Sequence, residues 1–327
     1  MDDVKYLFEQ LRKEESIFLK KYNVDDIYSN SKIYEILIAN RFGDFLIPGH
    51  SGSRDARDKD GNEIEYKHFK ETSSNHTWTF NDFSDTTINK LRETPWTYFV
   101  YIDDKNYDFP GNISWYFKIP GKAIADFLSV ATRKITNKRK MINVSVNNLE
   151  SIGFQKIHLD EFDIQNGSYG EDLLRIIDTI TKLEKTTNTY GLLTSNKIWE
   201  LLIASTLGHH INSEQGGREG AHDAFDDDGH LYEYKVSKTY SWNFQDISEN
   251  VLNKYLQDHE IILAVINKTS LSVIEIFSAK PEDVVKRLRE KLTDKINRYS
   301  LEGKEIRRLQ VSLSKGDLKK IKAKKIF

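Results

Sequence analysis

The 327-residue chain contains no cysteine, which excludes disulfides, thiolate metal sites and cysteine nucleophiles. It also lacks an excess of either charge. Lys and Arg number 48 against 50 Asp and Glu, a formal net charge of −2. Global electrostatics therefore announce no nucleic-acid partner, and positive charge for one would have to be local. No apolar run approaches bilayer-spanning length, and Met1-Asp2-Asp3-Val4-Lys5 is unlike the start of a signal peptide. The expectation is a cytoplasmic protein with no membrane partner. What is present is a globular composition, 38% hydrophobic, 12% aromatic and 30% charged, at a length that suits two domains.

The stretch Asp223 to Lys235 reads D-A-F-D-D-D-G-H-L-Y-E-Y-K. Side chains two apart on a strand share a face, so Glu233 and Lys235 are predicted to project together, with Tyr234 on the other side. A hairpin closed at Asp228-Gly229 would return Asp223 beside them. Two carboxylates and an ammonium converging on one point suit a divalent metal and a phosphate. The first half repeats the arrangement: Asp55 to Lys67 reads D-A-R-D-K-D-G-N-E-I-E-Y-K. Asp55, Glu65 and Lys67 each stand 168 positions before Asp223, Glu233 and Lys235. For one copy, an exposed strand face with an ordinary ion pair is an adequate reading. Two aligned copies argue against it.

The repeat extends outward. Ser31 to Ala39 and Asn196 to Ala204 read as matching apolar helices, the first capped by Ser29, Asn30 or Ser31, and they carry Glu35 and Glu200. Trp78-Thr-Phe80-Asn-Asp82 answers Trp242-Asn-Phe244-Gln-Asp246, and Asn89-Lys90 answers Asn253-Lys254; both are expected in a helix leading into a buried strand. Strands are expected over 97–102, 113–119 and 142–146, and over 261–266, 271–277 and 309–313. Short helices should begin near Gly121 and Pro281. Gln165 to Gly170 has the composition of a linker. The expected organisation is two similar mixed α/β domains, 1–164 and 165–327, fused in one chain.

G-S-R-D-A with E-Y-K, and G-A-H-D-A with E-Y-K, resemble the PD-(D/E)XK nuclease superfamily, the restriction-endonuclease-like fold, in both halves. The helix-borne Glu and the αβββαβ order agree with it. The customary Pro before the Asp is absent; Arg54 and His222 stand there. The resemblance implies two tandem copies forming an intramolecular pseudo-dimer that hydrolyses phosphodiesters with Mg²⁺, Mn²⁺ being a substitute. Asp55 and Glu65 would hold metal in one copy, Asp223 and Glu233 in the other, and Glu35 and Glu200 could complete a second metal site. Lys67 and Lys235 would orient or deprotonate water, or stabilise the pentacovalent phosphate.

This leads to an expected type II-like restriction enzyme that cuts double-stranded DNA as a monomer, one strand per domain. A structure-specific or single-strand nuclease of the same superfamily and a non-catalytic DNA-binding protein are the alternatives. His209, His210 and His222 read as loop histidines rather than zinc ligands, although His222 could touch phosphate. Trp78 and Trp242 read as core, and Asn75, Asn81 and Asn243 as candidate base-edge readers. Basic clusters at Arg133 to Lys140, from Lys286 through Arg307-Arg308, and at Lys319 to Lys325 are candidate phosphate grips.

Overall fold

A computed structural model describes residues 2–28, 32–48, 54–81, 84–133, 135, 141–212, 222–303 and 309–327. The chain divides into two units, Glu14–Asp178, and Met1–Lys13 with Thr179–Phe327; the divisions fall inside the helices α1 (Asp2–Tyr22) and α6 (Gly170–Thr187).

In the first unit the central helix is α2 (Lys32–Phe42). Seven of its residues, Ile33, Tyr34 and Ile36 to Asn40, are buried, as expected of a helix enclosed on most sides. It ends at Gly43, whose φ of +73° is the left-handed conformation that closes helices, and Asp44 N donates back to Ala39 O. The chain then runs through β1 (Phe45–Leu46), β2 (Ala56–Arg57) and β3 (Glu63–Lys70). Asp58 builds the β2–β3 turn by accepting from Asp60 N, Asn62 N and Asn62 Nδ2. Gly61 supplies the positive φ of +82° that the turn requires.

Next come β4 (Trp78–Phe80), α3 (Asp85–Glu93), β5 (Trp96–Asp103), β6 (Asn112–Pro120), α4 (Gly121–Thr132), β7 (Ile142–Val144), α5 (Val146–Ser151) and β8 (Ile157–His158). The sheet order is β1-β2-β3-β5-β6-β8, with β3 and β5 parallel, while β4 and β7 form a separate ribbon. One core joins that ribbon to the sheet: Trp78, Phe80, Phe99, Phe117, Ile119, Ile124 and Leu128 pack together. The Trp78 indole satisfies its N–H on Val100 O at 3.0 Å.

The second unit repeats the plan with α7 (Lys197–Leu207), β9 (His210–Ile211), β10 (Ala224–Phe225), β11 (Leu231–Ser237), β12 (Ser241–Phe244), α8 (Glu249–Tyr255), β13 (Glu260–Asn267), β14 (Ser272–Ala279), α9 (Pro281–Leu301), β15 (Val311–Ser314) and β16 (Lys324–Lys325). Its sheet order is β16-β14-β13-β11-β10-β9, β11 and β13 being parallel, with β12 and β15 as the separate ribbon. Gly208 closes α7 at φ +79°, and Trp242 Nε1 donates to Ala264 O at 2.9 Å. Even the ladder irregularities correspond, between Tyr101 and Ile102 and between Val265 and Ile266.

The mixed α/β class and the core role of the two tryptophans match the sequence reading; several local expectations do not. Trp78 and Trp242 lie in strands, not helices. Their apolar spacing is two residues, and the alternation of buried and outward positions is that of a strand. The helix from Pro281 is long, 21 residues, because its apolar stripe ends early while charged residues continue it as an exposed helix. Residues 165–170 do not form an open linker. A 3₁₀ turn, Ile164–Asn166, leads directly into α6, and the buried Asn40 pins the segment. Its Nδ2 donates to Ile164 O at 2.8 Å, and its Oδ1 accepts from Tyr169 N at 2.7 Å and Gly170 N at 3.0 Å. The Ser29 to Ser31 caps, Asp82, Lys134, Lys138 to Lys140, and Arg307-Arg308 lie outside the described residues.

Asn40 is a side chain whose loss would leave backbone groups unpaired in the interior. Asn40→Ala is expected to cost about 1–3 kcal/mol for each group left without a partner. Gly167→Ala is expected to destabilise as well, since a Cβ there would meet Asn40 Oδ1 at 2.2 Å. Urea denaturation is the check: both variants should lower the midpoint with little change in slope.

Candidate functional site

In the first unit the ladder between β2 and β3 ends on its N-terminal side at Ala56, opposite Ile64. Asp55 extends the pairing beyond that point. Its backbone N donates to Ile64 O at 2.8 Å, and its carboxylate Oδ2 accepts from Tyr66 N at 2.7 Å. The carboxylate is thereby fixed against β3 between Glu65 and Lys67. Those two side chains share one face and form an ion pair, as the period-two reading requires. Tyr66 points to the opposite face, where its hydroxyl donates to the buried Asp44 at 2.5 Å. Glu35 belongs to the same electrostatic cluster: α2 brings its charge close enough to feel Asp55 and Lys67, and Lys32 Nζ binds its Oε2 at 2.8 Å.

Burial dominates the charge balance. It pushes Glu65 up to about 7, with Asp55 adding to the rise and Lys67 opposing it. It also raises Glu35, again with a contribution from Asp55. Burial pulls on the Lys67 ammonium in the other direction, yet Glu65, Asp55 and Glu35 together hold its pKa above the usual lysine value. Glu65 Oε2 is buried and has no hydrogen-bond partner among the described residues. An unpaired carboxylate oxygen in the interior is costly unless a cation or donor meets it. The donor set, carboxylate oxygens from Asp55, Glu65 and Glu35, is the hard-oxygen chemistry that magnesium takes.

The second unit builds the same arrangement. Asp223 Oδ2 accepts from Tyr234 N at 2.8 Å, Glu233 pairs with Lys235, and α7 brings Glu200 within electrostatic reach of Asp223 and Lys235. Burial, with the charge of Asp223, pushes Glu200 up to about 7 and Glu233 up to about 8, and burial raises Asp223 itself. A cleft of about 820 Å³ opens on this site, lined also by Asn196, Trp199, Lys238, Asn243, Gln245 and Lys268.

The surroundings differ between the units. His222, at φ +76°, donates its backbone N–H to Glu233 Oε2 at 3.2 Å, and its ring Nδ1 lies 2.6 Å from the fully buried Asp258. Arg54, at the corresponding place, instead pairs with Glu63 at 2.5 Å and with Glu93 at 3.9 Å. Behind the strand, Tyr234 meets His209 Nδ1 at 2.8 Å where Tyr66 meets Asp44.

All eight sequence-selected residues fall into these two clusters, Asp55, Glu65, Lys67 and Glu35 in one and Asp223, Glu233, Lys235 and Glu200 in the other. Among the described residues, the three groups whose ligand atoms all lie within 4.8 Å of one another are instead Asp226, Asp228 and His230, in the β10–β11 turn. There Asp226 already accepts from Asp228 N, His230 N, the His230 ring and the Tyr232 hydroxyl. The site carboxylates do not form so close a group, and Glu65 and Glu233 are instead engaged by Lys67 and Lys235. His210 pairs with Asp227 at 2.8 Å, and Asn75, Asn81 and Asn243 are exposed. Arg133, Lys286, Lys319, Lys320, Lys324 and Lys325 are exposed too, Lys325 in an ion pair with Glu275.

Sequence reasoning missed Asp44, Lys32, the contact of His209 with Tyr234 and the His222–Asp258 pair. Asp44 and His209 are separated by the same 165 positions as the helices that carry Glu35 and Glu200, so the repeat did contain a signal for them. Asp258 lies 36 residues from His222 and had none.

Residues 1–108 match the family model of the restriction endonuclease PvuII. No curated protein matches the chain. The matched stretch holds α1 to α3 and β1 to β5, and with them Glu35, Asp55, Glu65 and Lys67. The chain is thus similar over that stretch to a restriction endonuclease, and a restriction-endonuclease-like fold is supported there.

Proposed function

We propose that this chain is a divalent-metal-dependent endonuclease of double-stranded DNA, a type II-like restriction enzyme in which a tandem duplication has placed two cutting sites on one polypeptide. One observation carries the reading: the same buried set occurs twice, a carboxylate locked onto the backbone N–H that lies between a Glu and a Lys of one strand face, with a helix-borne Glu in its electrostatic field. The similarity of residues 1–108 to a restriction endonuclease supports it. Each site cuts one strand, so a monomer acts as a pseudo-dimer of domains 1–164 and 165–327. Because the loops beside the two sites differ, the target is asymmetric or only approximately palindromic.

Asp55 and Glu65 would hold magnesium in one site, Asp223 and Glu233 in the other, with Glu35 and Glu200 as ligands to a second ion. Magnesium bound there supplies Lewis acidity and positive charge against the charge gathering on the phosphoryl oxygens. The chain's own residues do the rest. Tyr66 N and Tyr234 N hold the aspartates in place, so no reorganisation of the strand is needed when substrate enters. Lys67 and Lys235, kept as ammonium ions by their carboxylate neighbours, donate hydrogen bonds to phosphate oxygens as negative charge develops.

Two measurements test this reading. Supercoiled plasmid with Mg²⁺ should yield discrete linear products with the wild type, nicked circles with Asp55→Ala, and nicked circles with Asp223→Ala. A single variant that still linearises DNA would show its mutated unit to be a reader only. Lys67→Ala combined with Lys235→Ala should slow cutting by about 10²–10³-fold or more while DNA binding persists.

The second measurement uses pH. Glu65, Glu200 and Glu233 have folded pKa values raised to about 7, about 7 and about 8. A raised value means the folded state holds the proton more tightly. The stability so contributed is complete below the ordinary glutamate pKa, about 4.3, and is lost as pH rises through the folded values. Thermal unfolding in chelator should therefore show a falling midpoint across that window. Magnesium binds the deprotonated forms, so its stabilising shift should be larger at about pH 9 than at about pH 6. Equal shifts at both would remove these carboxylates from the metal site.

A further inference from the structure

The C-terminal unit places a buried carboxylate where the N-terminal unit has a threonine. Asp258, in the turn after α8, answers Thr94, in the turn after α3, 164 positions earlier. Their backbones do the same work: Asp258 N donates to Tyr255 O at 3.2 Å, and Thr94 N to Leu91 O at 3.1 Å. The turn itself therefore needs no carboxylate. Thr94 directs its hydroxyl onto Lys90 O of its own helix at 3.0 Å. The fully buried side chain of Asp258 instead reaches the His222 ring, Oδ1 lying 2.6 Å from Nδ1. His222 in turn answers Arg54, 168 positions earlier, which pairs with Glu63.

The ring anchors a strained piece of backbone. His222 sits at φ +76°, in the left-handed region that residues with a β-carbon seldom occupy, and its N–H donates to Glu233 Oε2 at 3.2 Å. Asp258 Oδ2 is buried without a hydrogen-bond partner among the described residues, a cost that a simple tie between two loops does not require. The pair also stands beside the motif, since Asp258 feels the charges of Asp223 and Lys235 and its own charge reaches Glu233. Glu233 is thus engaged at both oxygens, Oε1 by Lys235 and Oε2 by the His222 N–H. Glu65, its counterpart, meets Lys67 through Oε1, while its Oε2 has no partner among the described residues.

We propose that Asp258 and His222 are positioning residues for Glu233. The buried carboxylate anchors the imidazole, the imidazole holds the left-handed backbone, and the backbone N–H sets the orientation in which Glu233 meets a divalent cation. The inference rests on the metal-dependent reading of the site. It deepens that reading by making the two units unequal: the orientation of Glu233 is built in before a cation arrives, whereas that of Glu65 is set on its arrival. Partners one layer behind metal ligands typically govern metal affinity by about 10–100-fold.

Calorimetric titration with magnesium in two backgrounds isolates the sites, Asp55→Ala leaving the C-terminal one and Asp223→Ala the N-terminal one. Asp258→Thr, which installs the residue that the first unit carries, should weaken binding in the Asp55→Ala background by about 10–100-fold and leave it unchanged in the Asp223→Ala background. His222→Val, whose branched side chain disfavours left-handed backbone, should cause the same loss. His222→Asn, which tolerates that backbone and can donate to Asp258, should stay within a few-fold of its parent. Unchanged binding in Asp258→Thr overturns the positioning role, and so do equal losses in both backgrounds, which mark a general loss of structure. If Asp258→Thr does not fold, the two His222 variants decide, and equal affinities for Val and Asn overturn the proposal. Nicking of supercoiled plasmid by the Asp55→Ala protein separates affinity from rate: Asp258→Thr should raise the magnesium needed for half-maximal nicking and change the rate at saturating magnesium little. Weakened magnesium binding without any cutting of DNA removes the nuclease reading and keeps the positioning role, whereas cutting with unaltered affinity does the reverse. A wild type that binds no magnesium ends both.

Discussion

Each half of this protein depends on a carboxylate doing the work of a backbone carbonyl. Where the short strand beside β3 stops pairing, Asp55 offers its side chain to the next N–H of the ladder, that of Tyr66; Asp223 does the same for Tyr234. The bond satisfies a buried amide that would otherwise lack a partner, and it carries a negative charge into the space between a glutamate and a lysine. An asparagine could accept the same hydrogen bond. It could not supply the charge that holds the neighbouring ammonium in its ionised form.

The consequence is a cluster too acidic for its burial. Three carboxylates crowd around one shared ammonium in each unit, with Lys32 adding a second beside Glu35, and burial leaves glutamates that retain protons near neutrality. Desolvation alone would favour replacing such a group with apolar residues of similar size. The arrangement makes physical sense as a receptor for added positive charge, and the orphaned Glu65 Oε2 is where the deficit is most local. The two halves then depart from symmetry in their second layer. One encloses its motif with Arg54, Glu63 and Glu93, the other with His222 and Asp258.

Much of this was legible in the amino-acid sequence, and the reasons are specific. Glu65 and Lys67 could be placed on one face because strand geometry has a period of two, and Gly61 and Gly229 could be read as turn residues because little else adopts their φ. Repetition then turned weak local signals into a strong one. Trp78 and Trp242 read as helical because strands of three and four residues have too little pattern to distinguish them. Gln165 to Gly170 resembled a linker because composition does not reveal that a distant asparagine, Asn40, will satisfy its amides. The His222–Asp258 pair lay beyond sequence reasoning for the same cause: a contact between residues 36 apart, on two separate connecting segments, follows from packing alone.

The parallel pairing of β3 with β5, and of β11 with β13, has a consequence for how such a site comes into being. Asp55 to Lys67 is a local hairpin, but the strand that encloses it pairs only after the chain has passed through the ribbon strand and α3, about thirty residues later. Until that crossover docks, the carboxylates remain hydrated and repel one another weakly through water. Their confinement is completed together with the aromatic core around Trp78 and Phe99. Assembly of the charge cluster therefore requires a non-local strand pairing, and large hydrophobic side chains hold the result in place.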